Sequence, residues 1–329
     1  MPFLIGGVFG AAVFVVLFER AGGQLKTLNR YIRLCAIASV GAMIGSNVSS
    51  NILSVLPEFW ISIVAILPFI VIAHAGNYLI LRKLGKYSVV DAYFSSMPGG
   101  LVEAILLGEK AGADMRVMTV QHFIRVLSVV VAVPVIFLIS TGEVVGSAAG
   151  GSTVAEKYDL LDIGLIFLLG LIGLFVGRFL KLPAAHLLGP LVLAVFVSVS
   201  GLASITVPGW LLNLAQFVVG ATLGAQFSGI SMPVLKRGFA MGLVSMVFLL
   251  SLAYLFAMVL APHLPAGVPA MFISFTAGGL AEMSLIALSL ELSPVVVALH
   301  HLVRIFLVIW VGNQFYKRYL QPVRHDGPD

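Results

Sequence analysis

The sequence predicts an all-α polytopic membrane protein made of two inverted repeats, with about nine full spans and two broken or re-entrant segments. Three observations carry this reading. Of 329 residues, 60% are hydrophobic and only 10% charged, against roughly 25% charged in an ordinary soluble domain. Mean hydropathy is +1.09. So few charges cannot cover a water-facing surface, so the bilayer must act as solvent. The apolar runs are about 20 residues long and do not alternate, which favours helices over a closed barrel. The third observation is an internal duplication, described below.

Taken in order, apolar runs place spans near 3–18, 34–56, 59–81, 115–139, 162–180, 186–203, 210–230, 238–261 and 294–316. The first run ends at Glu19-Arg20 with no cleavage-like site, so it reads as a retained span. Two further stretches, 89–110 and 268–290, are apolar but interrupted by a Gly-Gly pair and a glutamate. They read as broken or re-entrant segments. The stretch 140–160 is rich in Gly, Ser and Ala and is the best candidate boundary. The division is then 1–140 for the first repeat, 141–161 for a polar linker, 162–180 for a connecting span and 181–329 for the second repeat.

One constant shift along the chain superimposes the halves. Gly41 and Gly45 fall on Gly220 and Gly224, and Asn47 falls on Gln226. Gly99-Gly100-Leu101 and Glu103 fall on Gly278-Gly279-Leu280 and Glu282. His122 and Arg125 fall on His301 and Arg304. Apolar letters match cheaply by chance; Glu, His and Arg together do not.

Basic residues gather in short loops: Arg20, Lys26, Arg30 and Arg33, then Arg82, Lys83 and Lys86, then Arg178 and Lys181, then Lys236 and Arg237, then Lys317, Arg318 and Arg324. The linker is acidic, with Glu143, Glu156 and Asp159. Nine spans with the N-terminus outside and the C-terminus cytoplasmic reconcile these charges with the positive-inside rule. On that count the copies are inverted, as in many secondary transporters. The net charge of +5 is thereby explained by orientation, and no nucleic-acid partner is expected. The single cysteine, Cys35, allows no intrachain disulfide and no cysteine metal site.

Two constellations could carry chemistry. In Gly99-Gly100-x-x-Glu103 and Gly278-Gly279-x-x-Glu282, paired glycines weaken a helix inside an apolar stretch. The ends of an interrupted helix expose backbone groups able to meet an ion. A carboxylate at the bilayer centre costs about 2.5–3.5 kcal/mol on insertion scales, so its recurrence suggests a proton or cation site. The bland alternative is a carboxylate that caps or braces a helix end. In His122-x-x-Arg125 and His301-x-x-Arg304, a spacing of three puts both side chains on one helix face. Arg could hold an anion bidentately and His could relay a proton; a Glu–Arg brace is the alternative. His300-His301 is a poor metal pair, because adjacent helical residues diverge by about 100°. Gly41-x-x-x-Gly45 and Gly220-x-x-x-Gly224 read as close helix packing, with Asn47 and Gln226 as possible cavity lining. No Walker A loop, HExxH or dinucleotide motif is present, and no cofactor is expected.

At Pro98-Gly99-Gly100-Leu101-Val102-Glu103 with Gln121-His122-Phe123-Ile124-Arg125, and at Ala277-Gly278-Gly279-Leu280-Ala281-Glu282 with His300-His301-Leu302-Val303-Arg304, the sequence resembles the membrane AbrB family with its duplicated AbrB unit. Ala277 replaces Pro98 in the second copy, so proline is not essential to the break. The resemblance implies a multi-pass protein of the bacterial inner membrane, and distant similarity to inverted-repeat antiporters and anion transporters. Members carry labels such as regulator of gene expression and ammonia monooxygenase; the soluble DNA-binding regulator of the same name is a different protein.

The expected function is non-enzymatic: secondary transport of a small, anionic or proton-coupled solute by alternating access. The site would comprise Gly99, Gly100, Glu103, His122, Arg125, Gly278, Gly279, Glu282, His301 and Arg304. The alternatives are a membrane-embedded regulator acting through a partner and, last, a monooxygenase subunit. Lipid and solute are the expected partners, and a homo-oligomer is left open.

Overall fold

The computed structural model describes residues 2–21, 30–48, 54–142, 159–182, 184–225, 232–316 and 318. Most of the 140–160 linker, Lys26, Gln226, Lys317 and Arg324 lie outside these, as do the side chains of Arg20, Arg30 and Glu103. Among the described residues every regular element is helical.

The helices are α1 (Pro2–Arg20), α2 (Arg30–Ser46), α3 (Trp60–Lys83), α4 (Val89–Ser95), α5 (Leu101–Lys110), α6 (Met115–Thr141) and α7 (Leu160–Phe179). They continue with α8 (Ala185–Val199), α9 (Gly209–Gly224), α10 (Met232–Leu260), α11 (Val268–Phe275), α12 (Leu280–Ser289) and α13 (Pro294–Phe315). Both interrupted stretches are indeed pairs of short helices: 89–110 is α4 and α5, and 268–290 is α11 and α12.

The expected nine full spans reduce to five. Leu56–Lys83, Met115–Ser140, Leu160–Phe179, Val234–His263 and Pro294–Gly312 are long and apolar enough to cross a bilayer. The runs at 3–18, 34–56, 186–203 and 210–230 give shorter apolar helices: Phe3–Glu19, Tyr31–Ser46, Ala185–Val199 and Gly209–Gly224. At 1.5 Å per residue, a helix of 15–17 residues spans about 22–26 Å, short of a hydrocarbon core of about 30 Å. The overcount has a simple cause: apolar letters continue where the helix does not. Helix α2 stops before Asn47, and α8 ends at Ser200 and Gly201, whose φ is +70°. The expectation of an outside N-terminus depended on nine crossings and loses that footing.

The chain forms two compact units, each drawing on segments from both sides of the linker. The first comprises Met1–Glu58, Val130–Gly229 and Leu280–Ala298. In it α1 packs along α9, α2 along α8, and α7 against both α8 and α2. Helix α12 lies on α2 and α9. Small residues make these contacts close. A Cβ at Gly41 would strike the Leu187 carbonyl, and one at Gly45 would lie 2.7 Å from the Ala194 Cβ. Across α9 and α1 the pattern recurs: Gly220 meets the Leu4 carbonyl, and a Cβ at Gly224 would lie 2.9 Å from the Ala11 Cβ. Close packing of Gly-x-x-x-Gly therefore holds at both seams. Gly173 and Gly177 of α7 likewise admit the backbone of α8 at Pro190 and Ala185.

The second unit comprises Phe59–Val129, Ile230–Gly279 and Leu299–Asp329. Helix α10 packs on α3 and α11, and α4 packs on α3 and α5. Phe69, Phe256 and Phe275 form an aromatic cluster with ring centroids 5.3–5.4 Å apart. Near the loop after α3, Leu81, Tyr87 and Ala92 are buried together against Tyr78, Val117 and Met241.

Candidate functional site

The first break lies wholly within the second unit. Ser88 caps α4 by accepting the Asp91 amide at 3.0 Å. The helix stops after Ser95, and Pro98 helps keep the following turn from rejoining it. Gly100 then precedes α5 in the left-handed region, at φ 63° and ψ 56°. Gly99 needs no such freedom: a Cβ there would sit 3.5 Å from Arg304 Nε, an ordinary contact. The second break, between α11 and α12, is made differently. Neither Gly278 nor Gly279 has a positive φ, and the Gly278 amide instead donates back to the Thr276 carbonyl at 2.9 Å.

The two arginines act on backbone, at the ends of the preceding half-helices. Arg125 Nη1 donates to the Met97 carbonyl at 2.7 Å. Arg304 Nη1 donates to the carbonyls of Phe275 at 3.1 Å and Thr276 at 2.8 Å, and Nη2 reaches that of Gly278 at 3.5 Å. The last carbonyls of a helix have no partner within it, and a cation there also meets the negative end of the helix dipole. Each arginine is 2% exposed. Among the described side chains neither has a carboxylate partner, and the Nε of each donates to nothing. Two buried cations with no carboxylate partner among the described side chains, in one compact unit, are costly unless something else compensates them.

His122 and His301 are both fully buried. His122 Nε2 donates to the Phe94 carbonyl at 3.0 Å, leaving Nδ1 unpaired. His300 turns to a different partner, Ser62 Oγ at 2.8 Å, as expected for neighbours on one helix. Among the described residues no three of His, Cys, Asp and Glu gather as a metal site would require.

Arg304 thus lies beside Gly99 of the first break, where an added Cβ would meet it, and bonds Thr276 and Gly278 of the second. Glu282 belongs to the first unit, in the opening turn of α12, and is buried at 8% exposure. The Glu103 side chain lies outside the described set. Also in the first unit, Asn47 lines a cavity of about 370 Å³ with Glu291 and Ser293, in line with the sequence reading of Asn47.

One member of this region carries no motif of its own in the sequence. Tyr87 donates to Gln121 Oε1 at 3.0 Å, next to His122. Burial pushes the Tyr87 hydroxyl above its ordinary range, while the Arg237 guanidinium opposes that shift. The tyrosine therefore keeps its proton and remains a donor. A polar Gln at 121 beside His122 was the available signal.

A family model described as "Transition state regulatory protein AbrB" matches residues 8–320. The chain belongs to the AbrB family. This AbrB-family chain is 26% identical over 307 residues to "Uncharacterized protein YhjN" of Bacillus subtilis (strain 168), covering 89% of this chain and 79% of the relative. It is 25% identical over 306 residues to "Putative regulator AbrB" of Escherichia coli (strain K12), covering 93% and 87%. No solved structure matches it.

Proposed function

We propose that this chain is a membrane-embedded regulator that acts through a partner. The observation that carries the reading is the match of residues 8–320 to a family described as regulatory, together with the name of the Escherichia coli relative. In this reading the two helix breaks are the receiving end, where a small anionic or protonatable solute meets Arg125 and Arg304. Glu103 and Glu282, which follow the glycine pairs at matching positions, exchange protons. The experiment is a pull-down of the full-length chain from solubilised membranes, beside transcript profiling of a deletion strain. A stoichiometric partner and a defined transcript set support the reading. Neither appearing, with solute flux in liposomes, sinks it.

A second reading, secondary transport by alternating access, is favoured by the recurrence of the breaks. Helices start at Arg30, Val89, Leu101 and Met115, and again at Gly209, Val268, Leu280 and Pro294. Each pair is separated by the offset that carries Gly41 onto Gly220 in the sequence duplication. Such matched breaks are what an inverted-repeat carrier uses to hold substrate at mid-membrane. An outside N-terminus, a cytoplasmic C-terminus and a bacterial inner-membrane location belong to this proposal. Proteoliposome uptake under an imposed pH gradient tests it. Unchanged flux in the Glu103→Gln, Glu282→Gln double variant would remove the proposed proton carriers.

A further inference from the structure

In the first unit, α2 and α12 both end at a cavity of about 370 Å³, and α13 begins there. Val48, Leu288, Leu292 and Val295 give it apolar walls, and Asn47 and Glu291 line it while exposed to solvent. Among the described side chains the Glu291 carboxylate has no ion-pair or hydrogen-bond partner. Asn47 Nδ2 donates to the Met43 carbonyl at 2.8 Å. A carbonyl only accepts, so the amide nitrogen is fixed on that side and Oδ1 is left as an uncommitted acceptor. The cavity thus offers oxygen acceptors and one negative charge, beside two helix C-termini and one N-terminus.

Glu291 holds a conformation whose cost the duplication shows to be avoidable. After α12 the Leu292 amide donates to the Ala287 carbonyl at 3.0 Å, and the Glu291 amide to that of Leu288 at 3.3 Å. After α5 the same turn forms, with Ala113 donating to Gly108 and Gly112 to Glu109, both at 2.9 Å. Both have the Schellman pattern, whose pivot residue is left-handed and most often glycine. The shift that superimposes the halves carries Gly112 onto Glu291. Gly112 sits at φ 76° without strain, whereas Glu291 sits at φ 56°, where an L side chain is strained. The turn itself needs only backbone. A glutamate there costs stability that a glycine would not, and no ion pair or hydrogen bond to a described side chain offsets it. Strain of this kind gathers where a side chain has a use.

A carboxylate beside an amide oxygen asks for a cation that carries N–H donors. A divalent metal is a poor fit, since it takes about six or more oxygen ligands and no cluster of three His, Cys, Asp or Glu gathers among the described residues. The volume is well above the roughly 150 Å³ that admits benzene, so an organic body has room against the apolar walls. We propose that this cavity binds an organic primary ammonium ion, its N–H groups donating to the Glu291 carboxylate and to Asn47 Oδ1. Pro294, in the wall, opens a helix long and apolar enough to cross a bilayer. The ammonium therefore belongs either to a free amine in water or to an ethanolamine lipid headgroup, with the same chemistry at Glu291. The site stands independently of the proposed function.

The test uses the full-length protein in phosphatidylcholine nanodiscs, with empty nanodiscs as reference for partitioning. Binding of 4-fluorobenzylamine, protonated near neutral pH, and of its neutral counterpart 4-fluorobenzyl alcohol is followed by fluorine NMR saturation transfer. The ammonium is expected to bind about tenfold tighter, the worth of one charge-assisted hydrogen bond. Glu291→Gln should cancel that preference and leave the alcohol as it was. Glu291→Gly, which copies the turn after α5, should cancel it too while raising the melting midpoint by about 2 °C. Leu288→Trp, at a half-buried lining position, should fill the space and remove both probes; if that variant does not fold, Val295→Trp replaces it. Adding ethanolamine lipid to the nanodiscs then assigns the source: competition marks a headgroup and its absence a free amine, and either upholds the site. Equal affinity for the two probes, a preference that survives Glu291→Gln, a lowered midpoint in Glu291→Gly, or binding that survives the filled cavity would each overturn the proposal.

Discussion

Arg304 Nη1 donates to the Thr276 carbonyl at 2.8 Å, and a like bond stands at the first break, where Arg125 Nη1 donates to the Met97 carbonyl at 2.7 Å. At both breaks an arginine on the long helix that follows closes the end of the half-helix before it. A break inside an apolar stretch leaves carbonyls that lipid cannot satisfy. The arginine supplies donors that the interrupted helix lacks, whatever else it binds.

Arg304→Met should therefore destabilise the protein. Phe275 and Thr276 would each lose a donor, at about 1–3 kcal/mol per bare carbonyl. Relief from burying the guanidinium offsets part of this, leaving a net loss of about 1–3 kcal/mol. A thermal melt of the detergent-purified protein checks it; an unchanged midpoint would show that the guanidinium is not what secures the break.

The neighbouring glycines separate conformational need from space. Gly100 sits at φ 63°, where an L side chain costs about 1–2 kcal/mol. Gly99 has ordinary room for a Cβ. Gly100→Ala should lower the melting midpoint, and Gly99→Ala should leave it nearly unchanged. Equal effects would mean that the left-handed turn is not fixed in the folded protein.

At the packing seams, Gly41→Ala and Gly220→Ala should both be strongly destabilising, by about 1–3 kcal/mol, because overpacked helices must move apart. Each added methyl meets a carbonyl, of Leu187 or of Leu4, which cannot swing aside as a flexible side chain would. Gly6→Ala is the internal control, since nothing lies within 4 Å of that position. Comparable melts for all three variants would contradict the close approach.

Tyr93→Phe removes one hydroxyl that ties α4 to the Gly312 carbonyl of α13. The expected loss is about 0.5–1.5 kcal/mol, the net worth of a neutral hydrogen bond, or more if the carbonyl is left bare. Hydrogen exchange at residues 308–315 should rise in parallel. Unaltered exchange there would show that the tie is idle.

How far the residues disclosed this architecture depends on which physical signal each one carries. The helix breaks at 96–100 and 276–279 were legible, because paired glycines inside an apolar run have few other readings. Close packing at Gly41 and Gly220 was legible for the same reason. The number of crossings was not: Asn47 and Gly201 end helices inside runs that hydropathy alone would extend. The partners of Arg125 and Arg304 were also hidden. A sequence displays side chains, so a brace between Arg and Glu suggests itself, whereas the acceptors are main-chain carbonyls that every residue carries alike. His74 looks isolated along the chain, since the Tyr93 ring lies beside it only in the folded protein.

The pairing of α1 with α9 has a consequence for synthesis. The Gly220 and Gly224 seam that receives Leu4 and Val8 is made long after α1 has left the ribosome. At about 5–20 residues per second, the interval is about 10–40 seconds. For all that time α1 must rest in lipid or against a temporary companion.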